Sequence, residues 1–346
     1  MRSPKHLGET VIVVGAGISG LVCARALQEG GRGVQVLERG RGIGGRLATW
    51  RHAAMAIDYG ALFVHGSHPE LVRELEALPE GRLDGWPERV AGKGSPCQPR
   101  AFAPRERRFA WAQGVSHWPK AIARTLEVRR ETRVTGIRVE GDHFVIDADG
   151  QPERATPTLV LAMPSEESLA LLAQLKLEVA ELVSARHLLR MLPSLSSLTV
   201  AATYAGNAPL PDWQMLYPES SGVLQLVSVE SSKRPHVGVP TLVLQARPAW
   251  SQLRLDEPAE VWSRALLDEG ARLLGSWVGE PQWTRPHRWR YARTDLGEEL
   301  SHPLFVRLPG GAKLGITGEL LARGAGVEAA WLSGDELAQR ILHSKE

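Results

Sequence analysis

The chain has 346 residues, 43% of them hydrophobic and 23% charged, with a formal net charge of +2. That length exceeds one ordinary core and predicts two lobes. The composition is that of a globular protein, and so mild a charge, with basic residues interleaved with acids, does not imply nucleic-acid binding. Two cysteines, Cys23 and Cys97, make no disulfide framework and point to a reducing compartment. Arg2 and Lys5 precede an apolar stretch, but Glu9, glycines and Arg25 interrupt it. No signal peptide and no transmembrane helix is expected, and the location read from this is cytoplasmic.

The first element is Val11–Val14, a short β-branched run of the kind a strand buried on both faces needs. It stops at Gly15-x-Gly17-x-x-Gly20. Here the first glycine makes a tight turn, the second admits a pyrophosphate, and the third lets the next helix pack on the strand. A helix from Ile18 to about Glu29 presents the N–H groups of Ile18 and Ser19 to an anion. Gly30–Gly33 breaks it, Val34–Leu37 is the second strand, and Glu38 stands where a carboxylate takes both hydroxyls of a ribose. An acid there selects a bare 2′-hydroxyl, hence FAD or NAD over NADP. The continuation Arg41-Gly42-Ile43-Gly44-Gly45-Arg46, and then Asp58-x-Gly60-Ala61, selects FAD. A flavin dinucleotide extends beyond the first phosphate site, so backbone comes close again and a guanidinium can face phosphate oxygens.

Glu38 followed by Gly44-Gly45-Arg46 resembles the flavin-containing amine oxidase superfamily. Ser231-Ser232-Lys233-Arg234-Pro235, Pro248-Ala249-Trp250-Ser251 and Arg288-Trp289-Arg290-Tyr291-Ala292 resemble its renalase-like branch. The resemblance implies that the return through Gly60 and Ala61 runs beside the flavin ring. It assigns Arg39 to the cofactor set, and the Val134 backbone to the adenine edge.

A helix is expected from His68 to Leu78, then loops and short strands from Gly81 to Arg108. Gly114-Val115-Ser116-His117-Trp118-Pro119 opens a helix to about Leu126. Leu126–Arg129, Arg133–Val139, His143–Asp147 and Glu153–Ala155 read as strands, with Asp149-Gly150 a hairpin turn, and fit an inserted β-meander. Thr158–Ala162 is another buried strand, closed by Met163-Pro164-Ser165. Helices at Glu166–Leu175 and Leu177–Leu189 follow, with strands at Leu198–Thr203, Gln214–Leu216, Gly222–Val229 and Thr241–Leu244. A helix at Pro258–Leu274 and a strand at Trp283–Tyr291 complete a second lobe. The chain returns through a strand at Lys313–Ile316, Gly318-Glu319, Gly324-x-Gly326 and a helix from Val327 to Leu342. In the family this segment closes the cofactor site. An acid, usually aspartate and here Glu319, takes the ribityl hydroxyls, and the helix end at Val327, Glu328 and Ala329 faces the flavin.

The expected fold is α/β: a Rossmann-type FAD-binding lobe with an inserted β-meander, plus a second mixed α/β substrate lobe. The lobes are drawn as 8–80, 127–164 and 304–346 for FAD, and 81–126 and 165–303 for substrate. FAD is expected to be non-covalent, because no cysteine follows Cys97. The eleven histidines show no metal spacing, and His65 and His117 read as surface or turn residues. Trp289 and Tyr291, two apart on a strand, are candidates for a substrate platform, and Lys233 for a lysine beside the flavin.

The resemblance implies an oxidase that takes hydride from a small or nucleotide-borne dihydropyridine to flavin N5, with dioxygen as acceptor and hydrogen peroxide as product. No metal, nucleic acid or membrane enters that scheme. Two alternatives stay open: an amine oxidase or desaturase of a secondary metabolite, and a non-catalytic FAD-binding protein.

Overall fold

Strands made only of buried β-branched and aliphatic residues need cover on both faces, and parallel α/β sheets provide it. A computed structural model describes residues 5–6, 10–92, 106–192, 194–234, 236, 238–293, 297, 299–324 and 326–344. Arg2, Glu9, Cys97 and Pro235, named above, lie outside the described residues. The chain divides into two compact units, one of Met1–Gly45, Trp118–Ser194 and Thr294–Glu346, the other of Arg46–His117 and Leu195–Arg293.

In the first unit a six-stranded sheet takes the order Glu127–Arg129, Val34–Leu37, Val11–Val14, Thr158–Leu161, Lys313–Ile316, Leu304–Arg307. All neighbours are parallel except the last pair. Alternation sends Ile12, Val14, Leu159, Leu161, Leu314 and Ile316 into one apolar cluster. That cluster also holds Ile137, Phe144 and Ile146 of the meander and Leu171, Leu172, Leu182 and Leu189 of the helices Ser165–Leu172 and Ala180–Arg190. Each such side chain contributes roughly 1.5–3 kcal/mol when fully buried. Glycines bring the helices Ile18–Glu29 and Gly326–His343 together, since Gly334 abuts Ser19 and Gly30 abuts Leu342. Gly315 of the sheet abuts Leu337 of the second helix in the same way.

The meander is Val134–Glu140, His143–Ala148 and Arg154–Thr156, with Lys5–His6 added at its edge. Glu127–Arg129 is not part of it. That segment pairs in parallel with Val34–Leu37 and extends the main sheet.

The second unit is built on a sheet in the order Trp283–Arg293, Leu195–Thr203, Thr241–Ala246, Leu224–Val229, Met215–Leu216, Val90–Ala91. The helix Ala259–Leu274 covers one face through Trp262, Leu266 and Leu267. Against the other lies the hairpin Thr49–His52 and Met55–Asp58, whose Trp50, Met55 and Ile57 pack with Ala201, Met215 and Val243. A small sheet of Val64–Gly66, Arg107–Trp111 and Arg82–Asp84 completes the unit.

This division differs from the expected one in four stretches, 46–80, 118–126, 165–194 and 294–303. Residues 46–80 fold with the second unit, because the hairpin finds its apolar partners there. Residues 165–194 fold with the first, because their leucines fill the cluster beneath the parallel sheet.

Candidate functional site

Within the first unit the glycine loop has the geometry that its spacing implies. Gly15 adopts φ +107°, a conformation open to glycine, and a Cβ there would overlap the Ala162 carbonyl. A Cβ at Gly20 would stand 2.9 Å from the Ala162 Cβ and overlap the Gly15 carbonyl. Gly17 is different: among the described residues nothing lies within 4 Å of where its Cβ would point. Its bareness leaves open space rather than room for protein. Gly17 caps the helix Ile18–Glu29 without a side-chain hydrogen bond, and the first turn carries no acid. The positive end of that helix is presented to an anion from outside.

Glu38 ends the second strand half-buried. Its Oε2 accepts from Ala16 N at 2.8 Å and its Oε1 from Gly40 N at 2.6 Å. A carboxylate has about four acceptor sites, so both oxygens keep capacity for ribose hydroxyls. The backbone of Glu38 is bonded to Arg129 and Thr132, which brings the start of the Val134 strand alongside. Gly44 N donates to Ala16 O at 2.9 Å, and a Cβ on Gly45 (φ +56°) would meet Gly17 Cα at 3.3 Å. The two glycine loops are stacked on each other. Arg39 is exposed and forms an ion pair with Glu167.

The C-terminal glycine cluster lies at the same edge of the same sheet. Val11–Val14, Thr158–Leu161 and Lys313–Ile316 run parallel, so their C-terminal ends, Gly15 and Thr317-Gly318 included, emerge together. Two strand spacings, about 10 Å, separate the two loops. Ser333 Oγ holds the second loop to its helix, at 2.8 Å from Thr317 Oγ1 and 3.2 Å from Gly318 N. Among the described residues no atom lies within 4 Å of a Cβ built on Gly318, and half-buried Glu319 comes next. Since Gly334 abuts Ser19, the helix beginning at Gly326 extends about 10 Å past the N-terminus of the first. Val327 and Glu328 are half-buried and Ala329 is buried at that end. Two helix N-termini offset by this length suit a ligand with two anionic or acceptor-rich ends.

In the second unit, the edge strand Trp283–Arg293 carries a ladder of ring contacts on one face. Trp283 stacks on His52 at 3.9 Å, and Arg285 lies 4.4 Å from the Trp50 centroid. His287 meets Tyr59 edge-on at 4.9 Å, and Trp289 lies 5.3 Å from Tyr59 at 24°. Trp50 and Tyr59 stack at 3.7 Å. Trp289 Nε1 donates to Tyr59 O at 3.0 Å, and Gln245 Nε2 donates to Gly60 O at 2.7 Å. Ala61 N donates to Arg46 O at 2.9 Å, while a Cβ on Gly60 would overlap that carbonyl. Burial and neighbouring Arg285 push the His287 imidazole down to about 4. Burial pushes the Tyr59 phenol up.

One platform expectation needs correction. Lys233 is 1% exposed, with Nζ 2.8 Å from Asp58 Oδ2, 2.7 Å from Glu230 Oε1 and 2.6 Å from Leu62 O. Its three donors are spent inside the protein, which leaves none to offer a substrate. Leu195 pairs with Arg293 and Ser197 with Trp289, so the register slips between them, and Trp289 finds its ring partner in Tyr59. His65 and His117 each face a carboxylate, Glu106 at 3.4 Å and Glu80 at 3.6 Å. Sequence reading missed Trp50, Tyr59, Arg285 and His287 as one group. The period-two spacing of Trp283, Arg285, His287 and Trp289 was the available signal.

Residues 13–78 match a family model described as an NAD(P)-binding Rossmann-like domain. A stretch of 62 residues is 50% identical to possible lysine-specific histone demethylase 1 of Drosophila melanogaster, covering 18% of this chain and 7% of that protein. Another of 70 residues is 41% identical to probable polyamine oxidase 4 of Arabidopsis thaliana, covering 20% and 14%. The matched stretches thus span a small part of those relatives. Over nearly the whole chain, cyclohexylamine oxidase from Brevibacterium oxydans IH-35A superposes with a TM-score of 0.71 at 16% identity, covering 96% of this chain and 98% of that one. Putrescine oxidase bound to putrescine gives 0.70 at 17%, covering 98% and 100%. The chain has the amine oxidase fold.

Among the described residues, no helix is long and apolar enough to cross a membrane. Among them, no group of three or more His, Cys, Asp and Glu side chains is placed to hold a metal ion.

Proposed function

We propose that this chain is an FAD-dependent oxidase of the renalase-like kind, taking hydride from a dihydropyridine in a reducing, cytoplasmic setting. The observation that carries the cofactor is the emergence of the Gly15 and Gly318 loops at one edge of one parallel sheet. The open space before Gly17 and Gly318 and the uncapped helix end fit a dinucleotide. Gly15, Gly17, Ile18, Ser19 and Gly20 would hold the pyrophosphate and Glu38 the ribose. Gly44 and Gly45 would line the diphosphate, and the Val134 backbone would meet the adenine. Gly318 and Glu319 would take the ribityl chain, with the helix end at Val327, Glu328 and Ala329 at the far end. When bound, FAD supplies a two-electron acceptor that dioxygen reoxidises to give hydrogen peroxide.

The second unit supports the dihydropyridine as donor. A dihydropyridine that gives up hydride becomes an aromatic pyridinium, and no proton has to leave its carbon. The overall exchange takes one dihydropyridine, one dioxygen and one proton to one pyridinium and one hydrogen peroxide. Positioning then suffices, without a base. The aromatic ladder offers rings for positioning and little basicity: Lys233 is locked in its ion pairs, and an imidazole pushed down to about 4 is a poor acceptor for an ammonium proton. Arg285, exposed beside the rings, disfavours a cationic amine.

Amine oxidation is the second reading, favoured by the stretch similar to a polyamine oxidase. Anaerobic mixing of the flavin-loaded protein with the 2- and 6-dihydro isomers of NAD(P)H, and separately with a panel of amines, distinguishes the two. Bleaching of the flavin by the dihydro isomers within turnover time is the expected result. Bleaching by amines alone overturns the reading.

A further inference from the structure

The edge strand Trp283–Arg293 holds its arginines in unequal ways. Arg288 Nη2 donates to Glu257 O at 2.7 Å, and Arg290 Nη2 lies 2.9 Å from Asp256 Oδ1. Both are engaged by one loop. Arg285, on the opposite face, is exposed and has no hydrogen-bond or carboxylate partner among the described residues; its guanidinium rests over Trp50 at 4.4 Å. An arginine stacked on a ring keeps its planar fork of five N–H donors directed outward.

The next residue on that face is His287, a half-buried imidazole. It touches Trp50 at 5.8 Å, Tyr59 at 4.9 Å and Trp289 at 4.3 Å, all through the ring. Neither ring nitrogen has a hydrogen-bond partner among the described residues. Half-buried, the ring leaves both nitrogens to solvent or to a ligand. Arg285 is near enough to help keep this ring neutral, so it carries one N–H donor and one bare nitrogen.

We propose that Arg285 and His287 form a receptor for an oxyanion, a carboxylate or a phosphate, carried by the substrate. The receptor rests on the oxidase reading above and narrows its substrate to an anionic pyridine derivative. The guanidinium offers two parallel donors to two oxygens, the imidazole offers a third, and the Trp50–Tyr59 stack fixes where they stand. The same guanidinium repels an ammonium ion, so one residue both selects the anion and rejects the cation.

Calorimetric binding to the flavin-loaded 346-residue chain tests this with two matched pairs of probes, none able to donate hydride. Nicotinate against nicotinamide reads a carboxylate, and nicotinamide mononucleotide against nicotinamide riboside reads a phosphate. The expected result is that at least one anionic probe binds tenfold or more tightly than its partner. Arg285→Met erases that margin, Arg285→Lys keeps part of it, and Arg288→Met leaves it intact. Arg285 is exposed, and its variants are checked by circular dichroism and flavin content. Wild-type protein that binds neither anion at millimolar concentration, or prefers neither, overturns the receptor. So does a margin that survives Arg285→Met within twofold. Dihydronicotinamide bleaching that persists while the margin is absent removes the receptor alone. A margin that depends on Arg285 without any bleaching removes the oxidase reading alone.

Discussion

Gly334 lies so close to Ser19 that a Cβ at position 334 would overlap the Ser19 carbonyl oxygen and stand 3.1 Å from the Ser19 Cα. The contact joins the two helices whose N-termini flank the proposed cradle. Backbone, not a flexible side chain, is on the other side, so relief requires the helices to separate. Gly334→Ala is expected to cost about 1–3 kcal/mol through overpacking, despite the better helix propensity of alanine. Thermal unfolding with and without added FAD checks this, and flavin content should fall together with the melting temperature.

Lys233 is held at the centre of a buried group of four charges. Arg234 Nη1 reaches Glu230 Oε2 at 3.4 Å, and Asp58 Oδ1 takes Thr49 Oγ1 at 2.6 Å and Val115 N at 2.9 Å. Two acids and two bases balance, and the network anchors the residue just before Tyr59. Lys233→Met leaves an uncompensated buried carboxylate and is expected to cost about 3–5 kcal/mol. Denaturant titration measures it, and adding Glu230→Gln to the same chain should recover part of the loss. A variant of unchanged stability with a raised KM would mean that Lys233 meets substrate after all.

Glu38 offers the test of the ribose contact. Its carboxylate takes two backbone N–H groups, so Glu38→Gln, which keeps one acceptor oxygen, disturbs the loop less than Glu38→Ala. FAD affinity is expected to drop by about 1.5–3 kcal/mol in the alanine variant, the range for a hydrogen bond to a charged group. Equilibrium dialysis of the apoprotein with FAD reads it directly.

His287 gives a pH signature. Its folded pKa is depressed to about 4 from an ordinary 6.5, by burial first and Arg285 second. The unfolded chain therefore takes up a proton near 6.5 that the folded chain refuses until about 4. This residue's share of stability is intact above that window and is lost as pH falls through it, by up to about 3 kcal/mol. The rings facing it, Trp50, Tyr59 and Trp289, leave Arg285 as the charged neighbour. Stability of His287→Phe minus that of the wild type, followed between pH 7 and 4 by urea unfolding, should rise as the pH falls.

What was legible in the chain was local. The helix Ile18–Glu29 and the strands Val11–Val14, Val34–Leu37 and Lys313–Ile316 follow from short apolar runs and glycine breaks, and they stand where they were expected. What was not legible depends on distant partners. The hairpin around Trp50 joins the second unit because Ala201, Met215 and Val243 lie some 150 to 190 residues further on. Lys233 looks like a reactive lysine until Asp58, 175 residues away, is seen to bind it. Arg285 and His287 drew no attention because a lone arginine and a lone histidine in a strand are ordinary, and their meaning comes from the rings packed around them.

The account depends most on the cradle in the first unit, and the absorbance spectrum of the purified chain tests it most directly. It predicts a yellow protein with flavin bands, about one flavin per chain, released as FAD when the protein is denatured. A colourless protein that takes up no FAD after dialysis against an excess of it would contradict the account.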